Sequence, residues 1–199
     1  MVILDKKSYF TSGGARDIYL HPDEKDRFIK IQRNNSKKQN LNEKFFFERK
    51  SESEIIPKYY GYIETNLGYG ISVEIVRDEN GEISSSLKDL IENKKISKFE
   101  AKNLVHIIEK ESLNKNFLIH DGGIQNILVK KIKNTLKPVL VDGFGAKTNG
   151  PIYYLRSRFS FFAKFKTRKQ ISIMSVLQNF QRIVLWITYR PLRGCFFTQ

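Results

Sequence analysis

Oxygen-donor side chains recur at defined intervals in the second half of this 199-residue chain. Asp121 is followed five positions later by Asn126, and a later apolar run ends at Asp142. Oxygen ligands of this kind suit Mg²⁺, which keeps several waters and needs only one or two protein groups. A Gly-Phe-Gly sequence follows Asp142 and allows the backbone there to approach a phosphate closely. The spacing therefore predicts a site for a phosphate group and a divalent cation.

The order of these three residues is the one used for phosphoryl transfer in kinases. There, one aspartate orients the accepting hydroxyl, while an asparagine and a second aspartate hold Mg²⁺ against the nucleotide phosphates. Asp121 is accordingly the candidate catalytic residue, and Asn126 and Asp142 are the candidate metal ligands. The two candidate metal ligands also have ordinary structural explanations when taken singly. Asp142 could be a turn or cap residue after a strand, and Asn126 could bridge two loops.

Lys30 lies between apolar residues in the segment Phe28-Ile29-Lys30-Ile31-Gln32. A lysine in such a run must pair its ammonium or extend it to water. In kinases, a strand lysine contacts the nucleotide phosphates and is held by a carboxylate from the following helix. Glu43 and Glu48 lie five residues apart on the predicted helix, so they point to different faces. Glu43 is preferred as the partner because it begins a Glu-Lys-Phe-Phe-Phe run, and Glu48 stays open as the alternative. Lys30 could instead be an edge-strand lysine that points outward to solvent.

A turn with two adjacent glycines, Gly13 and Gly14, precedes Lys30 and lies between two predicted strands. Kinases cover the nucleotide phosphates with a glycine-rich loop at this place in the chain. The two glycines are therefore predicted to contact the cofactor ATP. Neither a P-loop nor a dinucleotide-binding fingerprint occurs in the sequence. Backbone groups at residues 74–76 are expected to hold the adenine, on the basis of position alone.

The elements that must position these residues change in character along the chain. Strands are predicted at residues 8–11, 17–20, 28–32, 59–64 and 70–76, with one helix at 40–51. Helices are then predicted at residues 86–93 and 98–111, and short strands at 117–119, 127–131 and 139–141. Ser97 and Glu100 form a capping-box pattern at the start of the last of these helices. The pattern is helical again from Tyr153 onward.

This order predicts an α+β fold with two lobes. A strand-rich N-lobe occupies residues 1–80, and a short helical C-lobe with a catalytic-loop-like segment and a basic, aromatic tail occupies residues 81–199. The boundary lies in a turn-rich segment near residues 78–84. The nucleotide is expected to bind between the lobes.

Charge and cysteine content narrow the classes of function. The net charge is +14, and Asp142 is the last acidic residue, so the tail offers cations and aromatic rings to an anionic membrane surface or an acidic partner. Cys195 is the single cysteine, which excludes an internal disulfide and a thiolate-rich zinc site. The N-terminal apolar run is too short for a signal peptide. We therefore expect a cytoplasmic protein, with peripheral contact at the inner membrane through the tail.

Six short stretches carry a resemblance to a known family. They are Arg16…Tyr19-Leu20-His21-Pro22, Phe28-Ile29-Lys30-Ile31, Ile56-Pro57-Lys58-Tyr59-Tyr60-Gly61, Glu64-Thr65-Asn66-Leu67-Gly68-Tyr69-Gly70, Gln125-Asn126-Ile127-Leu128 and Val141-Asp142-Gly143-Phe144-Gly145. With these stretches the chain resembles the YrbL-type family, the PhoP-regulatory-network proteins of Gram-negative bacteria, within the protein-kinase-like superfamily. The resemblance implies a two-lobed kinase-like fold and a place in a regulon that responds to Mg²⁺ limitation and envelope stress. The Asp-Gly-Phe-Gly order departs from the Asp-Phe-Gly of kinases.

Together these features predict a protein that binds ATP and Mg²⁺ and phosphorylates a small or envelope-related hydroxyl acceptor. The alternative is a pseudokinase, a regulatory binding module that uses the same fold without turnover and whose tail engages a protein partner. Nucleic-acid binding is a third hypothesis that rests on the charge and the aromatic tail. It ranks below the others, since no helix-turn-helix, zinc-finger or RNP pattern accompanies them.

Overall fold

The computed structural model describes residues 1–33, 38–49 and 52–144. Its first half is an antiparallel five-stranded sheet in the order β1-β2-β3-β5-β4. The strands are β1 (Tyr9–Ser12), β2 (Arg16–Leu20), β3 (Arg27–Gln32), β4 (Tyr59–Thr65) and β5 (Gly68–Glu74). A single helix, α1 (Lys38–Arg49), follows β3 and contacts β3, β4 and β5.

The register of β2 against β3 decides which side chains face α1. Ile18 is paired with Lys30, and Arg16 with Gln32. Directly paired residues point to the same face of a sheet, as do residues two apart along a strand. Arg16 and Lys30 therefore share one face, and it is the face that carries α1.

The second half contains two helices and a hairpin. These elements are α2 (Leu87–Glu92), α3 (Lys98–Asn114), β6 (Ile127–Ile132) and β7 (Thr135–Leu140), with a 3₁₀ turn at Ile124–Asn126 before β6. The predicted capping box is confirmed: the Ser97 side chain accepts from the Glu100 amide, and the Glu100 carboxylate accepts from the Ser97 amide. These bonds satisfy amides that the first turn of α3 would otherwise leave unpaired.

One hydrophobic cluster extends through both halves of the described chain. Phe46 of α1 and Ile71 of β5 belong to it, as do Leu104 of α3, Ile127 of β6 and Leu140 of β7, and all five are buried. A smaller cluster of Leu4, Ile29 and Ile31 covers the opposite face of the sheet. The face of β3 that carries Lys30 thus belongs to the larger core, and we call the region around Lys30, Glu43 and Asp142 the cleft.

The predicted division into a strand-rich first part and a helix-containing second part is confirmed, with strand and helix ends shifted by a few residues. The strand predicted at residues 117–119 is wrong. This apolar segment is buried, and its Phe117 ring lies against Phe46, but within the described residues its backbone forms only an isolated bridge between Ile119 and Phe144. Its apolar composition is therefore explained by burial in the main core and not by a strand ladder.

Two further predictions concern other parts of the chain. The predicted strand at residues 70–76 ends at Glu74, and the next amide, that of Ile75, donates to the carbonyl of Asp26 just before β3. The helical tail predicted from Tyr153 onward lies outside the described residues. Among the helices that the structure describes, none is long and apolar enough to cross a membrane.

Candidate functional site

Lys30 connects three elements at the centre of the cleft. Its side chain is 7% exposed. The Lys30 ammonium donates to Glu43 Oε1 of α1 at 2.7 Å and to the carbonyl oxygen of Val141 at 2.8 Å. Glu48, the alternative partner, is half exposed and lies 3.8 Å from Lys44 instead. Lys30 thereby joins β3, α1 and the segment that leads into Asp142.

A second buried cation, Arg16, lies beside Lys30 and was not among the candidates from the sequence. Its guanidinium pairs with Glu43 Oε2, and Nη2 lies 2.7 Å from Asp142 Oδ1. Asn40 Oδ1 accepts a longer bond from Nη1 at 3.5 Å. In the sequence, Arg16 is marked as the first residue of a stretch that resembles the family, and its place two residues before Ile18, the sheet partner of Lys30, is a second signal. This second signal becomes visible only once the strand register is known.

The charges of this cluster hold two of its members ionised. Burial by itself would raise the pKa of Asp142, but the positive charges of Arg16 and Lys30 and a hydrogen bond from the Gly143 amide lower it to about 2. Burial would likewise lower the pKa of the Arg16 guanidinium, but the negative charges of Glu43 and Asp142 raise it. The Arg16–Asp142 ion pair is therefore fully charged at neutral pH.

The other two predicted residues lie next to Asp142 on neighbouring segments. The Val141 amide donates to the backbone oxygen of Asn126 at 2.8 Å. Asn126 Nδ2 in turn donates to the Asp121 carbonyl at 3.4 Å. The Asp121 carboxylate is exposed, and its Oδ1 accepts from the Gly123 amide at 3.2 Å. The structure thus brings Asp121, Asn126 and Asp142 onto adjoining segments, and the Lys30 ammonium contacts one of these segments at Val141.

Gly143 allows the Asp142 segment to lie directly against the Asp121 segment. Its φ of 89° is one that L side chains rarely adopt, and a Cβ atom at this position would collide with the Asp121 carbonyl oxygen. The His120 amide donates to the Gly143 carbonyl at 2.8 Å. The close backbone approach expected after Asp142 is therefore made to the neighbouring loop of the protein.

Aromatic packing fixes the end of the Asp142 segment on α1. The Phe144 ring stacks on Phe46 with 4.5 Å between ring centroids and meets Phe47 edge-on at 5.4 Å. Both partners lie on the helix that supplies Glu43. The position of Asp142 relative to Glu43 is thus held by packing as well as by Arg16.

Gly13 and Gly14 lie in the exposed turn between β1 and β2. The Gly13 amide donates to the Arg16 carbonyl at 2.8 Å, which closes the turn immediately before the buried arginine. A Cβ atom on Gly14 would meet nothing within 4 Å. The turn is therefore open to solvent and adjoins the charged cluster through Arg16.

The backbone segment expected to hold adenine is partly occupied by the protein itself. The Glu74 amide donates to the Lys58 carbonyl and the Ile75 amide to the Asp26 carbonyl, while the Val76 carbonyl accepts from the Ser84 amide. These three groups are used within the fold. A base bound here would have to hydrogen-bond to other groups of the same segment.

A cavity of about 600 Å³ opens between the start of β4 and the β6–β7 hairpin, and its lining includes Glu74 and Val76 of the segment expected to hold adenine. Its walls include Tyr59, Val76, Lys130 and Val139, and it shares no lining residue with the charged cluster. We therefore place the candidate site at the charged contacts around Lys30, Glu43 and Asp142 and not in this cavity.

The side chains near Asp142 can supply part of the oxygen coordination that Mg²⁺ requires. Within the described part of the chain, no three or more His, Cys, Asp or Glu side chains come together as a metal site. Asn126 and Asp142 nevertheless offer an amide and a carboxylate oxygen, which fits a cation that takes its remaining ligands from water and phosphate. Asp142 Oδ1 already accepts from Arg16 and from the Gly143 amide.

A model of the family described as PhoP regulatory network protein YrbL matches residues 2–176 of this chain. The chain belongs to this family. The proteins named YrbL from Escherichia coli and Shigella flexneri are each 25% identical to it over 162 residues, which cover 76% of this chain and 77% of each relative. The resemblance seen in the sequence is therefore confirmed.

Solved protein kinase domains share the fold. The PknI kinase domain of Mycobacterium tuberculosis superposes with a TM-score of 0.53 at 11% identity, covering 82% of this chain and 70% of that domain. A single-residue variant of the same domain gives 0.55 at 11% identity, with 83% and 71% covered. At this identity the likeness shows the fold alone, and that fold is kinase-like, as predicted.

Proposed function

We propose that the chain binds ATP together with Mg²⁺ in the cleft between its two lobes. The observation that supports this proposal is the Lys30 ammonium, which is held between Glu43 and the Val141 carbonyl beside Asp142. A buried lysine paired with a helix carboxylate, next to an aspartate, is the arrangement with which kinases bind nucleotide phosphates.

Each residue of the cleft has a defined task in this proposal. Lys30 donates to the phosphate oxygens, and Glu43 keeps the ammonium in place. Gly13 and Gly14 present backbone amides above the phosphates. Asn126 and Asp142 hold Mg²⁺, which when bound offsets the negative charge of the phosphates. The site thus combines fixed cations with oxygen ligands.

Asp121 is the residue to which we assign a catalytic role. Its carboxylate is exposed, and the Gly123 amide fixes its orientation. In that position it can accept the proton of a hydroxyl group as the oxygen of that group attacks the terminal phosphorus of ATP, while the bond from this phosphorus to the bridging oxygen breaks and ADP leaves. The substrate class we propose is a small or envelope-related hydroxyl acceptor, within the PhoP regulatory network to which the family belongs.

One observation favours the pseudokinase alternative. Asp142, the carboxylate that must bind Mg²⁺, is already engaged by Arg16 at 2.7 Å. A chain that keeps this ion pair would retain the kinase-like shape as a binding module without turning over ATP. The two hypotheses share the fold and differ in whether Asp121 and Asp142 act on phosphate.

Calorimetric titration of the 199-residue chain with Mg·ATP tests the binding proposal. We expect the wild type to bind and Lys30→Met to bind at least tenfold more weakly, because a hydrogen bond between charged groups contributes about 1.5–3 kcal/mol. Lys44→Met is the matched control, since that lysine pairs with Glu48 at the half-exposed side of α1. Absence of Mg·ATP binding by the wild type would overturn the proposal.

Asp121→Asn separates the catalytic form of the proposal from the pseudokinase. If the chain is a kinase, this variant should bind Mg·ATP like the wild type but lose most ATP turnover, which typically falls by a factor of about 10²–10⁴ when an acid–base group is removed. A wild type that binds Mg·ATP without turnover supports the pseudokinase.

A further inference from the structure

Arg16 is the buried cation to which the proposed function gives no task. Its side chain is 5% exposed and bridges two carboxylates, Glu43 on α1 and Asp142 after β7. A guanidinium is always charged and presents its donors in a rigid planar fork, which suits such a bridge. For such a buried cation, the loss of one anion is costly unless another anion takes its place.

The two carboxylates differ in what else can reach them. Glu43 is 3% exposed and is enclosed between Arg16 and Lys30, so its pairing is internal to the protein. The Asp142 side chain is 39% exposed, so a ligand can reach it from solvent. A ligand that enters the cleft can therefore compete for Asp142 but not for Glu43.

We propose that Arg16 is a positioning residue that competes with a divalent cation for the Asp142 carboxylate. Two cations on one carboxylate repel each other, so Asp142 takes up a divalent cation poorly while Arg16 is bound to it. The phosphates of a nucleotide offer the guanidinium another anion. Divalent-cation binding and nucleotide binding are thereby coupled through Arg16, and each strengthens the other.

This inference rests on the proposed nucleotide site, but its main test needs no nucleotide. The probe is Mn²⁺ alone, titrated into the 199-residue chain and followed by calorimetry or by the electron paramagnetic resonance of free Mn²⁺. Arg16→Gln should bind Mn²⁺ at least tenfold more tightly than the wild type, because Asp142 has lost its competing cation. A purely structural role for Arg16 would not produce this gain.

Asp142→Asn in the Arg16→Gln background is the control. It should abolish the gained Mn²⁺ affinity if the cation binds at Asp142. An Arg16→Gln variant that unfolds like the wild type yet binds Mn²⁺ no more tightly overturns the proposal, as does a gain that survives Asp142→Asn.

Arg16→Lys decides the question if Arg16→Gln fails to fold. Lysine keeps the charge beside Glu43 but cannot bridge two carboxylates with one planar group. Its Mn²⁺ affinity should rise at least threefold, and an unchanged affinity overturns the proposal. Failure of the wild type to bind Mg·ATP would refute the proposed function, whereas this comparison reports on Arg16 and Asp142 alone.

Discussion

At the scale of single residues, the site is a charge-balanced cluster. Arg16 and Lys30 supply two positive charges, and Glu43 and Asp142 supply two negative ones, with Glu43 shared by both cations. In an isolated buried ion pair, removing one member leaves the charge of the other uncompensated. In this cluster each cation contacts a second acceptor besides the shared Glu43. The second acceptor is Asp142 for Arg16 and the Val141 carbonyl for Lys30. Single substitutions in the cluster should therefore alter binding more than they alter folding.

Asp142 makes the stability of the chain depend on pH in the acid range. Its pKa is lowered to about 2 in the folded protein, whereas an unfolded aspartate titrates near 3.9. The stability that this group contributes is thus fully present above about pH 4 and is lost as the pH falls toward about 2. Urea unfolding across this range should show a larger loss of stability for the wild type than for Asp142→Asn. Equal losses would assign the acid sensitivity to other groups.

At the scale of elements, α1 organises the cleft. Asn40, Glu43 and Phe46 recur three residues apart on this helix and so lie on one face. Asn40 Nδ2 donates to the Lys30 carbonyl of β3 at 3.1 Å and to the Tyr69 carbonyl of β5 at 3.4 Å. Glu43 pairs with the cations, and Phe46 stacks on Phe144. A single helix face therefore aligns the sheet with the Asp142 segment.

Phe46→Ala tests this role of α1. Phe46 is 3% exposed, so its truncation should lower the free energy of unfolding by about 3–5 kcal/mol. Because Phe144 loses its stacking partner, affinity for Mg·ATP should also fall at conditions where the variant is still folded. Phe45→Ala is the control: its ring is 38% exposed, and its loss should change stability by no more than about 0.5 kcal/mol. Equal effects in urea unfolding would argue against the role.

At the scale of the whole molecule, the two lobes are joined by core and backbone. The main hydrophobic cluster includes Ile71 of the sheet and Leu104 of α3. The Leu140 amide at the end of β7 donates to the Ile55 carbonyl before β4 at 2.8 Å. Because the hydrophobic cluster contains residues of both lobes, unfolding of one lobe alone would expose apolar surface of the other.

Unfolding should therefore be a single cooperative transition for the part of the chain that the structure describes. Far-ultraviolet circular dichroism, which reports helices and strands, and near-ultraviolet circular dichroism, which reports packed aromatic rings, should give the same midpoint in urea. Two separated midpoints would show that the lobes unfold independently and that the shared core is weaker than its burial implies.

Local patterns in the sequence were enough for much of the fold. The capping box at Ser97 and the apolar strand around Lys30 depend on neighbours within a few residues, so both could be read from the chain alone. The run at Phe117 could not, because apolar side chains predict burial, while a strand also requires a partner backbone of matching shape. Within the described residues, the only pairing of this run is the single bridge between Ile119 and Phe144.

The amino-acid sequence by itself determined which residue types are available for phosphate chemistry: Lys30, Asn126 and Asp142, in kinase-like order. Only the tertiary structure decided how they are connected. The choice of Glu43 over Glu48 depends on the rotation of α1 relative to the sheet, and the role of Arg16 depends on the register of β2. The Lys30–Val141 contact joins residues 111 positions apart. Such a contact forms because the packing of both lobes brings the two segments together, and no local pattern encodes that distance.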